Sequence, residues 1–245
     1  MKDVLKINGL DFYYGKFQAL REISFSINEG ESVALIGPNG AGKTTIIRCI
    51  MGFFKPDSGK INVFDLDPYV KRSDIVNEIG YLPENAGVYP MTLRRFLVFF
   101  ARLRDIPDPE DRAERVAKLF GIYDVFHKNQ AEFSQGMKQK AKLASLMLHN
   151  PRLLILDDPS TGLDLATKED LIYLLGELKK LNRTLIVSSH DPYIVGNVCE
   201  RMILLAEGQN VFDGPFDLDK WKSLAREDIR KIDVSSLIVS TKTHF

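Results

Sequence analysis

The chain has 245 residues, 44% of them hydrophobic, which is enough to fill the core of one large domain or two small ones. Lys+Arg and Asp+Glu both total 33, so no overall positive field exists to hold it on a nucleic acid or an anionic membrane. The two cysteines, Cys49 and Cys199, lack metal-ligand spacing and read as packing residues of a reducing compartment. Asp3 and Lys6 stand where a signal peptide needs its apolar stretch, and no run approaches the ~18 apolar residues of a spanning helix, so a cytoplasmic chain is expected.

Along the chain, Leu5 and Ile7, then Ile23, Phe25 and Ile27, recur at period two and predict half-buried strands between residues 4 and 36. Ser32-Val33-Ala34-Leu35-Ile36 is apolar after its serine and stops at Gly37, the pattern of a parallel strand covered on both faces. A helix-length segment, Thr44 to Phe54, follows directly. Leu93, Phe96, Leu97, Phe100 and Leu103 then fall at helical spacing behind Thr92, a candidate N-cap. Val116, Leu119 and Phe120 mark a second helix, and Met137, Ala141, Ala144 and Leu148 a third, which makes a helical block inserted into an α/β frame. The frame resumes with two buried strands, Leu153-Leu154-Ile155-Leu156 and Leu185-Ile186-Val187, separated by a helix bearing Leu171, Leu174, Leu175, Leu178 and Leu181. Met202 to Leu205, Glu207-Gly208 and Asn210 to Phe212 read as a hairpin. From residue 215 on, around Trp221, a short helix and a tail are expected.

Three segments carry chemistry. Gly37-Pro38-Asn39-Gly40-Ala41-Gly42-Lys43-Thr44, followed by Thr45, matches the P-loop pattern G-x-x-x-x-G-K-[ST] and sits between a predicted strand and a predicted helix. Its glycines let backbone N–H groups converge on phosphates at a helix N-terminus, while Lys43 reaches the outer phosphates and the Thr44 hydroxyl takes Mg2+. A chain of this length matches the bare pattern by accident about one time in a hundred. The motif alone leaves kinases, GTPases and many ATPases open. Leu153 to Leu156 end in Asp157 and Asp158, which places Asp157 at the carboxyl edge of a sheet, where it can hold Mg2+. Phe133-Ser134-Gln135-Gly136-Met137-Lys138-Gln139 opens a predicted helix, with Ser134 at the cap and Gly136 in the first turn, an end that presents free N–H groups to an anion. Taken alone, the acidic pair is a solvated turn and the serine a plain cap.

In this order and spacing the segments resemble the nucleotide-binding domain of ABC transporters, from about residue 4 to residue 214. The resemblance implies an α/β P-loop NTPase core with a mostly parallel sheet, an N-terminal antiparallel β subdomain and an inserted helical subdomain. The implied boundaries are 1–87 and 151–214 for the α/β core, 88–150 for the helical part and 215–245 for an extension. It implies ATP and Mg2+ as ligands, transmembrane permease subunits as partners, a second ATPase subunit of the same or a different kind, and no nucleic acid. Localisation would be on the inner face of the membrane, through the permease. Phe133 to Met137 looks like the family signature, whose Ser134 and Gly136 would meet the γ-phosphate of ATP held by the other subunit. Thr161-Gly162-Leu163-Asp164 resembles its D-loop, His190 its switch histidine, and Tyr14 the aromatic that stacks on adenine, with Tyr13 less favoured by spacing. Glu84, in Tyr81-Leu82-Pro83-Glu84, stands where the family commonly has a glutamine that senses Mg2+. Together with the Gly-Met-Lys-Gln run it resembles the branch exporting drugs, lipids and polysaccharides, although amino-acid importers share the Pro-Glu feature.

Two positions depart from the family pattern. Asp158 replaces the glutamate that usually serves as catalytic base, which shortens its reach by ~1.5 Å. A general base needs roughly 2.6–3.2 Å to its water and is worth about 10²–10⁴-fold, so slow hydrolysis is expected, with binding retained. The same change motivates an alternative, a regulatory subunit that binds ATP and scarcely hydrolyses it. Gln135 replaces the first signature glycine, a milder change because Ser134 and Gly136 remain. Soluble relatives in DNA repair or translation bring a long coiled-coil insertion or paired domains, which this sequence lacks.

Overall fold

The computed structural model describes residues 2–87 and 89–222. Strands β1 (Asp3–Tyr14) and β2 (Phe17–Asn28) pair antiparallel around Gly15, and β4 (Ser58–Val63) joins the other edge of β1. Their inward positions, Leu5, Ile7, Leu10, Ile23 and Ile27, are buried with Ile46, Ile47 and Ile50 of helix α1 (Lys43–Ile50). The period-two pattern thus marks the face that covers this helix.

The central sheet holds β3 (Ser32–Ile36), β5 (Ile79–Leu82), β6 (Leu153–Asp157), β7 (Thr184–Ser188), β8 (Arg201–Ala206) and β9 (Gln209–Pro215), in the spatial order β5-β6-β7-β3-β8-β9. All neighbours are parallel except β8 and β9. Every residue of β3, β6 and β7 is buried, as continuous apolar strands require when both faces are covered. Alternate side chains part to opposite sides. Val33, Leu35, Leu153, Ile155 and Ile186 join the α1 cluster, whereas Ala34, Ile36, Leu154, Leu156 and Val187 face the helices of the other layer. Each of these Val, Leu and Ile side chains contributes about 1.5–3 kcal/mol when buried.

That other layer contains α3 (Leu93–Leu103), α4 (Pro109–Leu119), α5 (Gln135–Leu146), α6 (Leu165–Lys180) and α7 (Pro192–Val198), while α2 (Arg72–Ile75) is a single turn before β5. Thr92 caps α3 as the spacing predicts, accepting a hydrogen bond from the Arg95 N–H at 3.3 Å. The expected helix Thr44 to Phe54 ends earlier, at Ile50. Gly52 is left-handed there (φ 65°), and the Phe53 N–H returns to the Arg48 carbonyl, which closes the last turn. Leu103 and Leu181, the last apolar residues of two helical stripes, and Leu119 of a third lie exposed at or just past their helix ends. The hairpin forms as expected, with Glu207 (φ 49°) and Gly208 (φ 78°) as its two left-handed turn residues. Its tip touches the first sheet, where the Arg21 N–H donates to the Gly208 carbonyl at 2.7 Å. A helical turn covers 218–222 and seats Trp221 against the core, and the rest of the expected tail, 223–245, lies outside the described residues.

Candidate nucleotide site

Register brings the site together. Leu35 of β3 and Asp157 of β6 both pair with Ser188 of β7, so the carboxyl ends of three neighbouring strands are level and the loops that follow them meet on one edge.

The loop after β3 is the glycine-rich segment. Gly42 (φ 103°) turns it into α1, and a Cβ there would lie 2.7 Å from Leu20 and 3.0 Å from the Ala19 carbonyl, so no other residue fits. α1 has no acidic residue in its first turn and no side-chain cap, which leaves its first N–H groups and positive dipole end for an external anion. The Lys43 ammonium donates to the carbonyls of Gly37 (2.6 Å) and Pro38 (2.9 Å), folding back over the loop. Asn39, Gly40, Gly42, Lys43, Thr44 and Thr45 line the cleft. Gly37, Pro38 and Ala41 form the body of the loop, with Ala41 buried and Gly37 backed by the Leu205 carbonyl.

Asp157 is buried at the end of β6, accepting hydrogen bonds from the Ser188 hydroxyl and, at 3.3 Å, from the Thr44 hydroxyl. Asp158 is left-handed (φ 47°) and its N–H donates to the Ser188 carbonyl at 3.0 Å. One of its carboxylate oxygens accepts from His190 Nδ1 at 2.9 Å and the other from the Ser189 hydroxyl at 3.3 Å. Ser189 is itself pinned, because its oxygen accepts the Asp191 N–H at 3.0 Å. Glu84, in the turn after β5, faces the same cleft as Asp157 and Asp158.

Tyr14, Phe17 and Ala19 also line the cleft. The Tyr14 hydroxyl lies 3.2 Å from Thr45 Oγ1, and its ring packs edge-on against Phe12 and Phe54. Tyr13 does not line the cleft, and its N–H is taken by Asp57. Phe17 escapes a reading of motifs. The signal available was an aromatic residue at the start of a strand, two positions past the Gly15 turn, and 66% of it is exposed. Ser134 and Gly136 lie outside this cleft: Ser134 is exposed and caps α5 by accepting from the Met137 N–H at 3.2 Å, and Gly136 faces Thr167.

A hydroxyl and a carboxylate in contact, Thr44 and Asp157, are hard oxygen donors of the kind Mg2+ selects. Among the described residues no cluster of three or more His, Cys, Asp or Glu could cage a metal.

An anion-binding loop at a helix N-terminus, an acidic strand end beside it and aromatic residues lining the same cleft define a P-loop nucleotide site. The chain belongs to the ABC transporter family of ATP-binding proteins, whose family model, "ABC transporter", matches residues 20–161. It is 32% identical to the ABC transporter ATP-binding protein NatA of Bacillus subtilis (strain 168) over 90% of this chain and 91% of that protein. Against the bacitracin transport ATP-binding protein BcrA of Bacillus licheniformis it is 30% identical, over 100% of this chain and 80% of the relative. Against the linearmycin resistance ATP-binding protein LnrL of Bacillus subtilis (strain 168) it is 30% identical, over 96% and 76%. Among solved structures, cbiO1 from Clostridium perfringens, described as part of the ABC transporter complex cbiONQ, superposes with a TM-score of 0.82 at 25% identity, covering 98% of this chain and 100% of that one. Domains of this family bind ATP and are in general ATPases, and such subunits work with transmembrane components. No described helix is long and apolar enough to cross a membrane.

Proposed function

We propose that this chain hydrolyses ATP to power an ABC exporter, and that two copies, or one copy and a paralogue, enclose two ATP molecules between them. The observation that carries this reading is the split of the machinery. Lys43, Thr44, Asp157, Asp158 and His190 line or border one cleft, while the exposed Ser134 end of α5 lies outside it, available to a second molecule. Export is favoured by relatives named for bacitracin transport and linearmycin resistance, and by Glu84 taken together with the Gly136-Met137-Lys138-Gln139 run.

In the proposed mechanism the adenine stacks on Tyr14, and the Lys43 ammonium exchanges its two loop carbonyls for phosphate oxygens. Thr44 and Asp157, with Glu84 near, would hold Mg2+, which when bound neutralises charge on the outer phosphates. Asp158 polarises the attacking water, and His190, donating from Nδ1, holds that carboxylate in orientation while its own ring contacts the γ-phosphate. Once the γ-phosphate leaves, the bridge to Ser134 is gone and the pair opens. The helical part, residues 88–150, then swings against residues 1–87 and 151–214 and moves the permease docked near Glu84. The pair thus works on the inner face of the membrane.

A second reading, ATP binding with little hydrolysis, is favoured by Asp158, whose short carboxylate is already engaged by His190 and Ser189. Phosphate release by the purified chain, alone and with its permease, separates the two. Sedimentation of Asp158→Asn with Mg-ATP tests the pairing, which is expected to give a stable dimer. A monomer at saturating nucleotide rejects the shared-site reading.

A further inference from the structure

The Ser134 end of α5 and the Asp158 segment are joined inside one molecule. Gln139, one helical turn beyond the cap and only 7% exposed, donates its side-chain N–H to the Pro159 carbonyl at 2.9 Å, in the interior. Pro159 follows Asp158 directly and is buried too. Nearby, Gly136 lies against Thr167 of α6, where an added Cβ would already be in contact at 3.4 Å. Lys168 of α6 then pairs at 2.6 Å with Asp191, the residue after His190, and both partners are partly shielded from water. A shift of α5 along its axis therefore either breaks the Gln139 bond or drags Pro159, and with it the Asp158 backbone.

We propose that Gln139 is a positioning residue that carries the state of the Ser134 contact to this molecule's own Asp158, so that ATP held by the partner readies the site of the chain that touches it. The proposal rests on the paired reading above, in which Ser134 meets the partner's nucleotide. An amide suits the task, because a buried carbonyl left without its donor costs more than the bond itself contributes, so the bond breaks rarely and as a whole. The position of α5 then has discrete consequences at Pro159, as coupling between two sites requires.

The test is the ATP dependence of phosphate release by the full chain. Two coupled sites give a Hill coefficient above 1 and at most about 2 in the wild type, whereas Gln139→Met, similar in size but without a donor, is expected to give about 1 with kcat reduced roughly tenfold. Nucleotide affinity measured without Mg2+ on dilute, unpaired protein is expected to stay within about twofold of wild type. Lys140→Met, which removes a more exposed α5–α6 ion pair to Asp170, is expected to keep the wild-type coefficient. If Gln139→Met does not fold, Gln139→Asn keeps the amide but draws it back ~1.5 Å and is expected to show the same loss. Cooperativity unchanged in the Gln139 variants of a cooperative wild type overturns the proposal, as does a lowered melting temperature as the only change. A wild type with a coefficient of 1 and no ATP-dependent pairing overturns the shared-site reading itself.

Discussion

His190 Nδ1 lies 2.9 Å from Asp158 Oδ2, tying the loop after β7 to the loop after β6. His190 is 67% exposed, so it packs little, and the pairing is what places its ring. His190→Ala is therefore expected to change stability by less than about 1 kcal/mol while lowering phosphate release by about 100-fold or more. A melting curve and a steady-state assay on one preparation check both halves, and turnover within about threefold of wild type rejects the role.

Asp158 adopts a left-handed backbone that Asp and Asn tolerate and longer side chains resist. Asp158→Asn keeps that geometry and is expected to leave folding and ATP binding intact while costing about 10²–10⁴-fold in hydrolysis. Asp158→Glu restores ~1.5 Å of reach at about 1–2 kcal/mol of backbone strain, and is expected to raise the rate if the short carboxylate limits it. Single-turnover kinetics on the two variants decide, and an unchanged rate in Asp158→Glu shows that reach is not limiting.

The phosphate-binding and aromatic residues of the cleft should respond differently. Lys43→Ala removes the charge that meets the phosphates and is expected to abolish measurable ATP affinity. Tyr14→Ala and Phe17→Ala each remove a ring from the cleft, with an expected loss of about 0.5–1.5 kcal/mol, roughly two- to twelvefold in Kd. Calorimetry with ATP measures all three, and no loss in Phe17→Ala places the base against Tyr14 alone.

His149 supplies a pH prediction. Its Nε2–H donates to the Ile79 carbonyl at 2.9 Å, its Nδ1 has no partner, and burial, reinforced by Arg104, pulls its pKa down to about 4. The unfolded chain, with a histidine near 6.5, takes up a proton that the folded chain refuses. The fold's advantage is therefore complete above pH 6.5 and declines as pH falls toward 4. The slope is at most about 1.4 kcal/mol per pH unit, reduced by whatever water reaches the half-buried ring. Urea unfolding at pH 7 and pH 5 should show this loss in the wild type and a smaller one in His149→Gln, and equal losses reject it.

The uniformly apolar strands were legible in the sequence for a physical reason: an apolar run buried on both faces, such as β6 or β7, admits little else. The P-loop was equally plain, since its residue types follow from phosphate geometry. The short elements were not. β4 exposes Ser58, Gly59 and Lys60, β5 has four residues, and α7 is held by a Pro192 start and an Asp191 cap, so pairing and capping decide them more than periodicity does. Phe17 and Ser189 were silent because their importance comes from neighbours distant in the chain, not from a local pattern.

The floor beneath the phosphate loop is assembled from distant pieces. Gly42 is hemmed in by Leu20 and Ala19, Gly37 rests on the Leu205 carbonyl, and Gly208 presses on Ala19 from the hairpin tip. A ribosome that has delivered the glycine-rich loop has therefore not yet delivered a working receptor for nucleotide, since the support arrives more than 160 residues later, with β8 and β9. Fragments halted before that point should emerge unable to capture ATP, however intact their motif.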